Sequence, residues 1–227
     1  MEEAFETSRQ ISHSGSIGQV RYFAGILFAD LRRDPIALQH HVDAMVAFDR
    51  ERGLPRAEPL FFQGMSLFGR GMTAEGLALA EQALARMSHV GERRTYVLGR
   101  LAEAYARVGQ LDRAWQTIIG AQSISERSAE HSWDAELHRI GGEILLVKGA
   151  STGEVEALFR QAIETSRRQE AKSLELRAAR SLARLLIGQG ASVEARDLLI
   201  PIYAWFTEGF ETADLREARV VLADLGA

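Results

Sequence analysis

The histidines of this sequence are the residues best suited to bind a metal ion or to transfer protons, and there are six of them. A zinc site on a helix uses two histidines four residues apart and a third ligand from elsewhere. His40 and His41 are adjacent, so on a helix they point about 100° apart. His131 and His138 are seven residues apart on one helix face, and no acidic residue completes a cluster with them. We therefore expect no metal site.

The sequence evidence for other kinds of binding or catalytic site is equally weak. The glycine-rich segment 64–71 lacks the lysine and the hydroxyl residue that complete a phosphate-binding loop. Glu136 and Glu143 are seven residues apart, which favours a solvated helix face over a general acid–base pair. The absence of cysteine excludes a disulfide framework, a thiolate zinc site and a cysteine nucleophile. We expect no catalytic residue, no cofactor and no enzymatic activity.

Composition limits the class of partner and the location of the protein. The net charge of −4 gives no general attraction to nucleic acid or to an anionic membrane. No apolar run approaches the roughly 18 residues that span a bilayer. The acidic, amphipathic segment Met1–Gln10 does not resemble a signal peptide. These features predict a cytoplasmic protein that binds neither nucleic acid nor membrane.

Segment 98–121 carries the pattern of a helical hairpin. Apolar residues fall on one face of a first helix, which Gly109 ends, and a second helix begins near Leu111. Small residues at Ala102 and Ala121 allow the two antiparallel helices to approach closely.

The same pattern recurs along the sequence. The equivalent small residues lie 39, 38, 39 and 42 residues apart, and they are Gly25, Gly64, Ala102, Gly141 and Ala183. This order of small residues, large residues and glycine turns resembles the tetratricopeptide repeat (TPR), whose standard unit has about 34 residues. The predicted fold is therefore all-α: a right-handed α-solenoid of about five TPR-like helical hairpins, each of roughly 40 residues, with a C-terminal capping helix.

One superhelical domain is predicted over residues 1–227. It comprises an N-terminal partial repeat or cap helix (1–17), five hairpins (18–206) and a C-terminal cap helix (207–227). The N-terminal helix, Met1–Ser12, has an apolar face with Phe5 and Ile11 that lacks a preceding repeat. It is either a solitary cap or the second helix of a hairpin in a longer protein, and its apolar face could form a homodimer.

Four longer segments resemble a bacterial signalling family: Phe28–Pro55, Trp133–Gly149, Ala171–Leu186 and Tyr203–Ala218. They are similar to the C-terminal helical region of proteins that join a class III adenylate/guanylate cyclase domain, a signal-transduction ATPase module and TPR-like repeats. The resemblance implies a sensor or scaffold region, because the catalytic aspartates and the nucleotide-binding loop of that family lie in upstream domains. It also favours a fragment of such a protein, or a stand-alone relative.

The first helices of TPR hairpins line a concave groove, which predicts the positions that contact a partner. These positions are Tyr22, Ile26, Phe61, Met65, Phe68, Tyr96, Glu103, Arg107, His138, Arg177, Arg180 and Arg184. The aromatic and methionine side chains could instead pack between neighbouring repeats. The three arginines share one helix face and suit an acidic peptide or the C-terminal carboxylate of a partner. Alternatively, they form a solvated face paired with Glu175 and Glu194.

The predicted function is a non-catalytic scaffold or regulatory module that binds a protein or peptide in this groove. The alternative is a domain that senses a small molecule and thereby controls an upstream ATPase or nucleotide cyclase. A compact, partly apolar pocket in place of an open groove would favour the alternative.

Overall fold

A computed structural model describes residue 7 and residues 14–54, 56–87, 93–128 and 131–226. These residues form α-helices and one π-helical segment, and none of them lies in a β-strand. The all-α class predicted from the sequence is confirmed. The protein divides into two compact units, Met1–His89 and Val90–Ala227. The predicted N-terminal helix Met1–Ser12 lies outside the described residues, apart from Thr7.

From residue 14 onward, the first unit consists of a continuous helical stretch and three longer helices. The stretch comprises α1 (Ser14–Val20), a π-helical segment (Arg21–Leu27) and α2 (Phe28–Leu31). The longer helices are α3 (Pro35–Glu51), α4 (Glu58–Gly69) and α5 (Thr73–Arg86). Residues 34 and 35 determine where α3 begins. The Asp34 carboxylate accepts hydrogen bonds from the backbone N–H groups of Ile36 and Ala37, and Pro35 occupies the first helical position.

The π-helical segment changes which residues face α3. Gly25 lies against α3 as predicted, since a Cβ there would be 3.0 Å from Nδ1 of His41. In an unbroken α-helix Phe28, three residues after Gly25, would lie on the same packed face, but it is 39% exposed, whereas Ala29 is buried. A π-helix bonds each N–H to the carbonyl five residues back instead of four, so the residues that follow it are rotated about the helix axis. The α-helical spacing used in the sequence analysis does not hold across this turn.

Two glycines set the distance between α4 and α5. A Cβ on Gly64 would lie 2.6 Å from the carbonyl oxygen of Gly76, and a Cβ on Gly76 would lie 2.5 Å from that of Gly64. Both distances are far shorter than a van der Waals contact, so only glycine permits this crossing. The close approach lets Phe61, Met65 and Ala80 be buried together.

The second unit contains three hairpins and a final helix. The hairpins are α6 (Arg94–Arg107) with α7 (Leu111–Arg127), α8 (Asp134–Lys148) with α9 (Thr152–Arg168), and α10 (Lys172–Gly188) with α11 (Ser192–Ala204). The final helix, α12 (Ala213–Asp224), packs on α10 and α11. The first helices α6, α8 and α10 contact one another in this order, and α12 contacts α10 in the same way, so α12 is grouped with the first helices below.

Glycine turns end the first helices, and close packing fixes the repeat register. Gly109, Gly149 and Gly190 adopt φ angles of 78°, 79° and 80°, a left-handed conformation that glycine adopts without strain.

The sequence pattern predicts Gly141 as the small residue at which the helices of its hairpin approach closely, and the structure corrects this assignment. A Cβ on Gly141 would have ordinary contacts of 3.6 Å or more, whereas one on Gly142 would lie 2.5 Å from the Phe159 ring. Gly142 is therefore the small residue at the crossing of α8 and α9.

Within the described stretches, every helix is too short or too polar to cross a lipid bilayer.

We predict that Gly64→Ala destabilises the first unit. The new methyl group would overlap the backbone of α5, and overpacking of this kind costs about 1–3 kcal/mol of unfolding free energy. Urea unfolding followed by circular dichroism measures the effect. Gly120→Ala is the control, because Gly120 lies within α7 with no atom near its Cβ position. That substitution should stabilise the protein by about 0.5–1 kcal/mol through helix propensity. A Gly64→Ala variant as stable as the parent would contradict the close crossing.

Candidate partner-binding face

The predicted aromatic and apolar groove positions lie in the interior of their units. Ile26 and Phe61 are 0% exposed, and the side chains of Tyr22, Met65 and Phe68 are buried with them. The Tyr22 ring meets the ring of Phe62 edge-on, at a centroid distance of 5.8 Å. In the second unit Tyr96 is also buried. These positions match the alternative in which such side chains pack between neighbouring helices.

Tyr96 shows how this packing joins one hairpin to the next. Its ring lies 4.5 Å from the ring of Trp133, centroid to centroid. Tyr96 is on α6, and Trp133 directly precedes α8, so the contact fixes the two first helices together. Gly99 adds to this close approach, because a Cβ there would be 3.0 Å from Nε1 of Trp133.

Two of the three predicted arginines already bind carboxylates of their own protein. Arg177 donates from Nε to Asp214 at 2.7 Å and from Nη1 to Glu136 at 3.3 Å. Arg180 forms an ion pair with Glu217. These arginines bind carboxylates as expected, but the carboxylates belong to neighbouring helices of the same protein, α8 and α12.

The carboxylates expected to neutralise the arginines have other partners. Glu175 accepts from Nε of Arg167 at 2.6 Å and from Nζ of Lys172 at 2.8 Å. Glu194 accepts from Arg160 at 2.7 Å. Both carboxylates therefore neutralise cations outside the predicted arginine face.

A line of charged side chains, most of them buried, runs across the first helices of the second unit. Arg139 donates to both oxygens of Glu136, at 2.8 and 2.9 Å, and to Glu103 at 3.3 Å. Because Arg177 joins Glu136 to Asp214, the charges link α6, α8, α10 and α12. We call these five residues the ion-pair ladder: Glu103, Glu136, Arg139, Arg177 and Asp214.

The ladder keeps its central carboxylate ionised. Burial alone would raise the pKa of Glu136, but the guanidinium groups of Arg139 and Arg177 outweigh burial and lower that pKa below its ordinary range. The Glu136 side chain is only 4% exposed. An ionised group at this depth is stable only because both arginines remain in place.

Sequence reasoning missed the ladder, although a signal for it was present. The residues that pair between helices are 36, 41 and 37 positions apart, which is close to the repeat spacing of 38 to 42 residues. Opposite charges at equivalent positions of successive repeats could therefore have revealed it.

Part of the charged face remains open to solvent. Glu143 and Glu217 have side chains that are 41% and 42% exposed, and Glu103 is 30% exposed. Arg107 and Arg184, both predicted as partner contacts, are also exposed. Of the three predicted arginines, only Arg184 therefore has its charge on the surface.

Arg184 borders a cleft of about 280 Å³ between α10 and α12. Arg180, Glu217 and Asp224 supply its other charged side chains, and its apolar wall is formed by Ile187, Val220 and Val221. Because Arg180 and Glu217 neutralise each other, the charges left to meet a partner are those of Arg184 and Asp224. The cleft combines a carboxylate-binding group with an apolar surface.

His138 lies apart from this face. It borders a second cleft, between α7, α8 and α9, and its Nδ1 atom is buried without a hydrogen-bond partner among the described residues. Burial lowers the pKa of His138, and the charge of Arg168 adds to that effect.

A Ser–His–Asp cluster beside His138 lacks the geometry of a catalytic triad. Nδ1 of His131 lies 3.1 Å from Oγ of Ser125 and 3.0 Å from Oδ2 of Asp134. A triad uses the two different ring nitrogens to accept and to relay a proton, whereas both neighbours here meet the same nitrogen. Ser125 also donates to Asp134. The cluster therefore acts as a clamp between α7 and the start of α8. Among the described residues, no three histidine or acidic side chains converge as metal ligands.

We predict that Glu136→Gln destabilises the second unit by about 3–5 kcal/mol, because it leaves two buried guanidinium groups without their shared carboxylate. Glu164→Gln is the matched control. Glu164 pairs with Arg168 on the surface, with side chains 71% and 66% exposed, and its loss should cost less than about 1 kcal/mol. Equal effects of the two substitutions in urea unfolding would contradict the ladder.

The effect of Glu136→Gln should also depend on pH. A carboxylate whose pKa is lowered in the folded state stabilises the protein above its unfolded pKa of 4.5, and this stabilisation is lost as pH falls through the folded pKa. The gap in unfolding free energy between parent and variant should therefore narrow below pH 4.5. A gap that stays constant in acid would show that Glu136 is not ionised in the fold.

Comparison with known proteins identifies the architecture. No family model and no curated protein matches the sequence. Among solved structures, the protein is similar to a kinesin light chain-like protein of Podosopora anserina with nearly identical TPR-like repeats, at 17% identity and a TM-score of 0.52, covering 94% of this sequence and 98% of that one. A single-residue variant of that protein gives 18% identity and a TM-score of 0.54, covering 82% and 94%. At these identities the likeness concerns the fold, and it confirms that the protein is built of TPR-like helical repeats.

Proposed function

We propose that this protein is a non-catalytic interaction module whose second unit binds a peptide or protein segment through the cleft between α10 and α12. The observation that carries the proposal is the position of Arg184, an exposed arginine at the edge of a partly apolar cleft. TPR-like repeats generally present the faces of their first helices to partners. The cleft at Arg184 likewise lies between the faces of α10 and α12. The fold is thus compatible with the proposed role.

The chemistry of the cleft indicates what it would bind. A guanidinium group recognises a carboxylate through two parallel hydrogen bonds, and Arg184 is placed to make them. Ile187 and Val220 offer an apolar surface for a neighbouring side chain of the partner, and Val220 is 61% exposed. A peptide C-terminus with an apolar last residue, or an acidic side chain beside an apolar one, matches these groups.

We predict that Arg184→Glu removes this binding. A library of peptides with free C-terminal carboxylates is selected against the intact protein, and the selected peptides are titrated by fluorescence anisotropy. Loss of a charge-assisted bidentate contact should weaken them at least about tenfold. Arg196→Glu, an exposed arginine on α11 away from the cleft, introduces the same charge change and should leave the affinity unaltered.

Arg177 and Arg180 are unsuitable for this test, because their replacement would break buried ion pairs. Selected peptides that bind both variants equally, or the recovery of no binding peptide, would overturn the proposed site.

The resemblance to cyclase–ATPase signalling proteins supports a place for this module in signal transduction. The segments that carry it include Trp133–Gly149 and Tyr203–Ala218, which belong to the second unit. The coding sequence upstream of Met1 in the source genome tests the association. Cyclase and ATPase motifs in the same frame are expected, and a stop codon followed by a ribosome-binding site would instead indicate a separate adaptor.

A further inference from the structure

Polar and apolar side chains from three helices line the cleft between α7, α8 and α9. Its volume is about 320 Å³, which is at the small end of the range for ligand sites. Its lining is Gln122, Ser125, Glu126, Asp134, Leu137, His138, Leu158 and Gln161. We propose that this cleft is a binding site for a small organic amine. Such a site is independent of the peptide cleft at Arg184.

Several polar side chains line the opening of the cleft. Gln122 and Glu126 come from α7 and Gln161 comes from α9, and Glu126 and Gln161 are exposed. Two amides and a carboxylate at one opening offer several acceptors to a single ligand. Nδ1 of His138 is buried, so a group that bonds to it would remove the cost of leaving that atom unsatisfied.

The charge of the cleft selects a cation. Glu126 and Asp134 contribute carboxylates, while burial lowers the pKa of His138 and so favours the neutral imidazole. The other cation acting on His138 is Arg168, which is paired with Glu164 at 3.0 Å. Within the part of the protein that the structure describes, no lysine or arginine lines the cleft. An ammonium group therefore meets acceptors and negative charge, whereas a carboxylate ligand would be repelled.

The remaining walls favour an apolar group next to the ammonium. Leu158 lines the cleft from α9 and is partly exposed, whereas Leu137 of α8 borders the cleft but is buried by the protein itself. The clamp of Ser125, His131 and Asp134 holds α7 against the start of α8. Because of this clamp, the cleft is shaped before any ligand arrives, which reduces the entropy lost on binding. This is the partly apolar pocket that a small-molecule sensor would require.

Benzylamine and benzyl alcohol test the proposal, because they share a ring and differ in charge. Each is titrated into the full-length protein at about pH 7.5, where an ordinary histidine is neutral, and binding is followed by ligand-observed NMR. Benzylamine should bind saturably and at least about tenfold more tightly than benzyl alcohol, as expected for one charge-assisted hydrogen bond.

Variants locate the binding. Glu126→Gln should weaken benzylamine about tenfold, while Asp197→Asn, which changes an exposed acidic residue on α11, should have no effect. Gln161→Trp places a large ring at an exposed edge of the cleft and should abolish binding, with circular dichroism confirming an intact fold. The proposal is overturned if benzylamine does not saturate, if both probes bind equally, or if Glu126→Gln and Gln161→Trp leave binding unchanged.

Discussion

The second unit depends on the charge of Arg177. This guanidinium is buried between α8 and α12, where an unpaired charge would cost several kcal/mol, and it contacts Glu136 on one side and Asp214 on the other. Those carboxylates come from the preceding and following first helices. Arg177 therefore constrains the axial position of α10 relative to both neighbours. Apolar packing alone would not fix this axial position, because helix faces made of alanine and leucine tolerate small shifts along the helix axis.

The ladder and the neighbouring pair of Arg180 with Glu217 occupy guanidinium groups that could otherwise attract an acidic ligand. Arg139, Arg177 and Arg180 each form an ion pair with a carboxylate of the same protein. Arg184 of α10 keeps an exposed charge beside these ion pairs, which is why we propose the peptide site there.

The fold could be predicted from sequence because its signals are local and repeated. The glycine turns at Gly109, Gly149 and Gly190 and the small residue Ala102 each mark a hairpin without reference to distant residues. Two errors arose where local spacing was insufficient. The π turn moved Phe28 out of its expected position, and only the Phe159 ring distinguishes Gly142 from Gly141.

The candidate site was harder to predict. The spacing of apolar residues predicts which side of a helix is packed, but it does not predict how many other helices surround that helix. Tyr22, Phe61 and Met65 were assigned to an open groove, yet their side chains are buried by the helices that pack around them. Arg184 differs from Arg177 only in its distance along α10. Whether an arginine is buried or exposed at one face depends on the helix that packs over it, and that information is not local.

The repeat-spaced charges also bear on how such an array can evolve. Repeat proteins lengthen by duplication of units, and a purely apolar interface accepts a new neighbour readily. Here the first two interfaces pair a glutamate of the preceding first helix with an arginine of the following one, Glu103 with Arg139 and Glu136 with Arg177. The last interface reverses that order, because Arg177 donates to Asp214 of α12. A hairpin inserted before α12 would therefore keep Arg177 paired only if it carried an acidic residue at the position of Asp214.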